Sequence, residues 1–263
     1  MNREKKNSIR GKAVNFLLVI SLPAFLLILW EIGVKNGSIN GNVIPAPSKL
    51  FDTFIELVRK GKLQEALTIS FGRVIKGFLI AAAIGITLGF LMGIFASFNR
   101  MLSSLVNILR PIPVVALIPI LIIILGVGES ANVSIIVIGA LWPILLNTTA
   151  GVMSTDRKLL ELAYVYRLSK PKQYFKIVLP SALYSILTGL RLGVSGAWMS
   201  VVAAEMIGAT SGIGYLIMFS KSLAQAANMY VLVLVVGIIG YLIDKLLLTL
   251  QNRISKRFVA GRG

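Results

Sequence analysis

Glu161-Leu162-Ala163-Tyr164-Val165-Tyr166-Arg167-Leu168-Ser169-Lys170-Pro171-Lys172-Gln173-Tyr174-Phe175-Lys176-Ile177-Val178-Leu179-Pro180 is the stretch on which the reading turns. It is charged and foldable, whereas the sequence on both sides is almost wholly apolar. Lys158 to Lys170 has the spacing of a short amphipathic helix, and Pro171 and Pro180 punctuate two helical pieces. Its charges keep it in water. A polar, structured connection between two apolar runs predicts a loop that joins membrane spans and has work of its own.

Composition supports that prediction. Of 263 residues, 56% are hydrophobic and 14% charged, far more apolar than a soluble domain of this length. The expected fold is all-α and polytopic, with about six spans: Ala13 to Val34, Val74 to Phe98, Pro113 to Gly126, Ala131 to Val152, Ile186 to Gly208 and Met229 to Leu250. The third is short. It must borrow from Leu102 to Leu109 or lie tilted among its neighbours. The expected divisions are a tail over 1–12, a transmembrane domain over 13–250 containing the polar loop at about 154–185, and a second tail over 251–263.

The net charge of +17 raises nucleic acid as a partner, but the distribution excludes it. Basic residues gather in the N-terminal tail (Arg3, Lys5, Lys6, Arg10, Lys12), the central loop (Arg157, Lys158, Arg167, Lys170, Lys172, Lys176) and the C-terminal tail (Arg253, Lys256, Arg257, Arg262). Flanks facing anionic membrane lipid look like this, and no aromatic-interleaved basic face is present. With no Cys and no His, disulfides, thiol catalysis and Cys/His metal sites are excluded, and no cofactor is expected. The run up to Trp30 is too long for a signal core and lacks a cleavage site, so it reads as a retained first span.

Several residues stand out within this frame. Ile44-Pro45-Ala46-Pro47-Ser48 opens a short helix, with Ser48 as N-cap and Leu50, Phe51, Phe54, Leu57 and Val58 on one face, expected to lie along the membrane surface. Gly85, Gly89 and Gly93 recur every fourth residue and predict close packing against a neighbouring helix. Charges beside apolar runs need water, a partner or a function. Arg110 and Arg191 are expected near the cytoplasmic interface, where their stems can snorkel. Glu205 is expected near the outer end of the fifth span, either lining a pathway or gate or fixing an outer loop by pairing with a cation or backbone amides. Trp142, Asn147 and Trp198 are weaker pathway candidates.

The central stretch, read as Glu161-Leu162-Ala163, three residues, Arg167, nine residues, then Ile177-Val178-Leu179-Pro180, resembles the EAA signature of ABC importer permeases. Leu162 departs from the second signature residue, and Arg167 stands where the family has Gly, leaving open whether the turn there avoids a left-handed residue. The likeness extends to Ser70-Phe71-Gly72-Arg73, Arg110-Pro111-Ile112-Pro113, Gly126-Val127-Gly128-Glu129, Trp142-Pro143 with Asn147, Thr188-Gly189-Leu190-Arg191, Ala197-Trp198, Ala204-Glu205-Met206 and Ser211-Gly212-Ile213-Gly214-Tyr215. Together these are similar to the branch serving nitrate, taurine and aliphatic sulfonates.

The resemblance implies a five-span type I importer core with an added first span. It implies a homodimer working with two cytoplasmic ATP-binding subunits and an extracytoplasmic solute-binding protein. Glu161, Leu162, Ala163, Arg167, Ile177, Leu179 and Pro180 would form the joint with the ATPase. Hydrolysis would lie on that other chain, since no phosphate-binding Gly-rich run ending in Lys-Ser or Lys-Thr occurs here. The loop would be cytoplasmic with both tails, in the inner membrane; Lys35, Lys49, Arg59, Lys60, Lys62 and Arg73 would then lie outside, against the positive-inside bias. The implied solute is a small oxyanion, with an organic cofactor precursor as the alternative. An ion-coupled secondary transporter would need embedded acids, of which Glu205 is nearly the sole candidate. An intramembrane enzyme is disfavoured by the lack of paired catalytic carboxylates on one helix face.

Overall fold

The computed structural model describes residues 21–260, with side chains through residue 254, and among these the chain is helix and turn without a strand. The first helical stretch, α1, occupies 21–35; the earlier part of the expected first span and the N-terminal tail lie outside the described residues. There follow α2 (Pro47–Arg59), α3 (Lys62–Ile94), α4 (Ala96–Leu109), α5 (Val114–Leu125), α6 (Glu129–Met153), α7 (Arg157–Val165), α8 (Lys170–Gln173), a π-helical turn (Tyr174–Val178), α9 (Leu179–Gly208), α10 (Ile213–Ser222) and α11 (Ala226–Ala260). Among the described residues, four helical runs are long and apolar enough to cross a membrane: Lys62–Ile94, Glu129–Met153, Lys170–Gly208 and Ala226–Ile254. Counted together as one broken span, the pair α4 and α5, bent by 97°, brings the number to five.

Several boundaries differ from expectation for local reasons. The segment Leu102 to Leu109, from which the third span is expected to borrow, meets α5 at a sharp corner: Pro111 lacks a donor, and Pro113 drives Ile112 out of the helical region. Pro180 does not end a helical piece. The preceding turn widens instead, so that the Leu179 N–H bonds to the Tyr174 carbonyl, five residues back, and the run continues to Gly208. At the far end, α11 passes the expected boundary at 250 without a break and reaches Ala260.

Three helices form the centre of the molecule by approaching backbone to backbone. Gly77 faces Ile136, Gly85 faces Ile144, Gly89 faces Thr148 and Gly93 faces Val152. Each step along α3 is matched by an equal step along α6, the register of two parallel helices. Helix α9 runs the other way: Gly139 meets Gly196 and Ser200, Gly189 meets Pro143 and Asn147, and Gly151 meets Ala182 and Ser185. A Cβ placed on Gly196 would lie 2.4 Å from the Gly139 carbonyl oxygen, so the α6–α9 contact is closed to any side chain. Without a hydrophobic drive between helices in lipid, such surfaces gain from dispersion and close approach. Buried Ala81, Ile136, Ala140, Ile144, Ala197 and Val201 fill the space between them.

The charged and amphipathic elements settle differently from expectation. In α2, Ala46 is the N-cap and Pro47 opens the helix. Ser48 turns instead to Glu31, whose carboxylate accepts from the Ser48 N–H at 3.1 Å and from its hydroxyl at 2.9 Å, placing an anion at the helix start. Leu50, Thr53 and Leu57 are buried, while Phe51 and Phe54 face outward. Arg191 lies deeper than the interface, about 13 Å along α9 from Ala182, with its guanidinium 3.6 Å from Asp244 on α11. Arg110 sits at the corner between α4 and α5 and is exposed there.

Because the atom opposing Gly89 is a backbone oxygen, that of Leu145 at 2.7 Å from the position of a Cβ, Gly89→Val should cost about 1–3 kcal/mol. The thermal midpoint of the purified protein in detergent should fall accordingly, whereas Gly72→Ala, with open space around it, should leave it unchanged.

Candidate functional site

The arrangement has two poles. Along α3 the rise from Arg73 to Gly93 is about 30 Å, the thickness of a hydrocarbon core. At one pole lies a buried charge network, at the other the polar loop.

The loop begins where Asp156 accepts the Lys158 N–H at 2.9 Å and caps α7. Ala163 is buried, whereas Glu161, Leu162, Tyr164, Val165 and Tyr166 are exposed. The helix closes with the Arg167 N–H on the Tyr164 carbonyl (2.9 Å) and the Leu168 N–H on the Ala163 carbonyl (3.0 Å). This is the paired bond pattern that ends many helices with a left-handed Gly. Arg167 holds that position with φ +49°, so the turn keeps its left-handed residue without Gly, at about 1 kcal/mol or more. Gln173 donates to the Leu168 carbonyl at 2.8 Å and seals the turn. Ile177, Leu179 and Pro180 follow in the widened turn and the start of α9. A groove of about 770 Å³ separates this loop from the ends of α3 and α6, with Gly93, Val152, Glu161, Tyr164 and Tyr174 on its walls.

At the opposite pole Glu205, with its side chain fully buried, is held from every side. Arg73 Nη1 donates to Glu205 Oε1 at 2.8 Å, and the Gly214 N–H donates to Oε2 at 3.0 Å. Ser70 lies 2.8 Å from Oε2 and accepts the Ile213 N–H at 2.9 Å. Glu205 and Ser70 thus supply the acceptors for the first amides of α10. The carboxylate also dictates the loop above it. Gly212 has φ +103°, and a Cβ there would fall 2.2 Å from Glu205 Oε1. Arg73 engages all three of its side-chain nitrogens: its Nη1 also reaches the Ser211 carbonyl at 2.7 Å, its Nη2 the Ser211 hydroxyl at 3.1 Å, and its Nε the Glu129 carboxylate at 2.8 Å. Lys76 joins Glu129 at 3.1 Å.

Four separated motifs, Ser70 to Arg73, Gly126 to Glu129, Ala204 to Met206 and Ser211 to Tyr215, therefore meet in one knot. Of the two roles open to Glu205, the geometry fits fixing a loop, because its carboxylate is held by Arg73, Ser70 and the Gly214 amide. Ser70, Arg73, Glu129, Ser211, Gly212 and Gly214 carry the knot with it. They are legible in the sequence as motifs, but a single sequence does not pair them, and Arg73 reads there as a loose outer charge. The other pathway candidates pack. Trp198 donates to the Val236 carbonyl at 3.1 Å and packs in a tilted arrangement against Phe71 at 5.2 Å between centroids. Asn147 donates to the Pro143 carbonyl at 2.8 Å, and Trp142 lies against the Met92, Val106 and Leu145 cluster.

This architecture and these motifs are those of a known class. Residues 81–260 match the family of binding-protein-dependent transport system inner membrane components. A protein named as an ABC transporter permease in Methanocaldococcus jannaschii is 37% identical over 257 residues, covering 96% of each chain. SsuC of Bacillus subtilis, named for aliphatic sulfonates transport, is 32% identical over 245 residues, covering 93% of this chain and 89% of its own. CmpB of Synechococcus elongatus, a bicarbonate transport system permease protein, is 34% identical over 259 residues, covering 94% and 92%. In fold the chain is similar to a subunit of the MetNI methionine ABC transporter, with a TM-score of 0.59 at 23% identity over 77% of this chain and 95% of that one. The chain belongs to the binding-protein-dependent inner-membrane permeases of ABC importers.

Removing one partner of a buried pair strands the other. Arg73→Met should therefore destabilise by about 3–5 kcal/mol, and Arg73→Met with Glu205→Leu should recover part of that loss. Melting of the purified protein checks both, and an Arg73→Met midpoint equal to the wild type would refute the knot's structural weight.

Proposed function

We propose that two copies of this chain form the transmembrane pathway of an importer powered by two cytoplasmic ATP-binding subunits and supplied by an extracytoplasmic solute-binding protein. The central loop then lies in the cytoplasm with both tails, and the knot around Glu205 lies on the outer side. The observation that carries this reading is the loop's form. A capped helix bears exposed Leu162, Tyr164, Val165 and Tyr166, beside Glu161 and several cations, on the protein's polar pole. Apolar and aromatic side chains held in water on a rigid turn suit a protein partner. Glu161 offers acceptors for charge-assisted bonds from that partner, and Arg167 adds a cation at the tip.

ATP binding would close the ATPases, shift the two loops and turn the cavity outward; hydrolysis and release would restore the inward state. The α3–α6–α9 body is suited to carry the motion, since packed backbones move together. The family's dependence on a binding protein supports that part of the assembly. A small oxyanion is favoured as cargo because relatives of high coverage are named for aliphatic sulfonates and for bicarbonate; an organic cofactor precursor is the alternative. Ion coupling is disfavoured because Glu205, the fully buried acid among the described residues, is committed to Arg73, Ser70 and Gly214.

Glu161→Lys should reach the membrane normally yet lose the ATPase on copurification and lose ATP-dependent uptake in liposomes. Normal copurification and uptake in that variant would refute the assigned joint. Uptake that continues on an ion gradient after the partner's hydrolysis is disabled would refute the class of mechanism.

A further inference from the structure

One cation within the apolar layer stands alone. Arg110 occupies the corner between α4 and α5; its backbone N–H bonds to the Val106 carbonyl at 2.9 Å. Its side chain is exposed and holds no hydrogen bond or ion pair among the described residues. Arg191 differs, having Asp244 beside it.

The depth of Arg110 follows from packing on both sides of the corner. At the outer end of α5, Ile122 lies against Gly208, close in sequence to Glu205. From there α5 descends to Val114, about 12 Å deeper. On the inner side, Val106 packs with Met92, next to Gly93, and with Leu145, which lies between Gly85 and Gly89. Gly85 is about 12 Å along α3 from the Gly93 contact with Val152. The corner thus falls near the middle of the slab. A guanidinium exposed at that depth is strongly disfavoured against lipid and is tolerated against water or an anion.

We propose that Arg110 is a mid-membrane receiving site for the importer's cargo, lining a water-filled path and binding a small oxyanion through its fork of N–H donors. The proposal rests on the reading of the cargo as an oxyanion. The binding protein sets that reading apart: if titration with alkyl sulfonates, nitrate and bicarbonate fails and an uncharged or cationic solute binds, the cargo reading falls and this site falls with it.

Given an oxyanion cargo, the site has its own test. The chain contains no cysteine, so Arg110→Cys supplies a single thiol in this subunit. In liposomes holding the full importer, uptake by Arg110→Cys should drop at least about tenfold, with binding-protein-stimulated ATPase activity within about twofold of wild type. Treatment with a cationic aminoethyl thiosulfonate should restore uptake several-fold, and a neutral methyl thiosulfonate should not. Uptake near wild type before treatment, a thiol inert to the water-soluble reagent, or equal effects of the two reagents would each overturn the proposal. If Arg110→Cys does not reach the membrane, Arg110→Lys and Arg110→Gln are compared. Transport kept by Lys and lost by Gln supports the site, and equal transport refutes it.

Discussion

Close approach of three backbones is the constraint on which the rest depends. Gly85, Gly89 and Gly93 of α3 admit α6, and Gly139, Gly151, Gly189, Gly193 and Gly196 bring α6 and α9 into contact. With those surfaces flush, α3 and α6 run in parallel register and α9 returns antiparallel between the same two levels. That register carries Arg73, Glu129 and Glu205 to one level and the ends that bear the loop to the other. The two poles are consequences of helix packing, each joined to the other by a body with little room to deform.

The knot around Glu205 shows how a buried charge is made tolerable. Glu205 would be costly alone, but it accepts from Arg73, Ser70 and an amide of α10. Every hydrogen-bonding direction of Arg73 that the structure records is spent on carboxylates or on Ser211. Such a satisfied set specifies one arrangement of α3, α9 and the start of α10 more sharply than apolar packing would. The pole that bears the loop is built on a different plan. Its turn is held by backbone bonds and Gln173, leaving the side chains of α7 free for a partner.

Much of this was legible in the residues. Apolar runs indicated the spans, the repeat of Gly on α3 indicated its packing face, and the charged stretch from Glu161 to Pro180 indicated a structured loop. The corner at Arg110 to Pro113 was harder, because two prolines disclose a break but not its angle or depth. The pairing of Arg73 with Glu205 joins residues far apart in sequence, and local patterns carry no information about such a meeting. Trp198 and Asn147 show the same limit: an aromatic or amide in a span reads alike whether it lines a path or bonds to a neighbouring carbonyl. Arg167 was ambiguous because its cost in a left-handed turn is small enough for the surrounding bonds to absorb.

The central claim is that a separate ATP-hydrolysing protein grips the loop at α7 from the cytoplasmic side. Since the chain has no cysteine of its own, Tyr164→Cys gives the most direct measurement, its labelling by a membrane-impermeant thiol reagent. The account predicts modification in inside-out vesicles, little in intact cells, and protection when the ATPase subunits are bound. Modification from the outer face, or labelling indifferent to the ATPase, would contradict it.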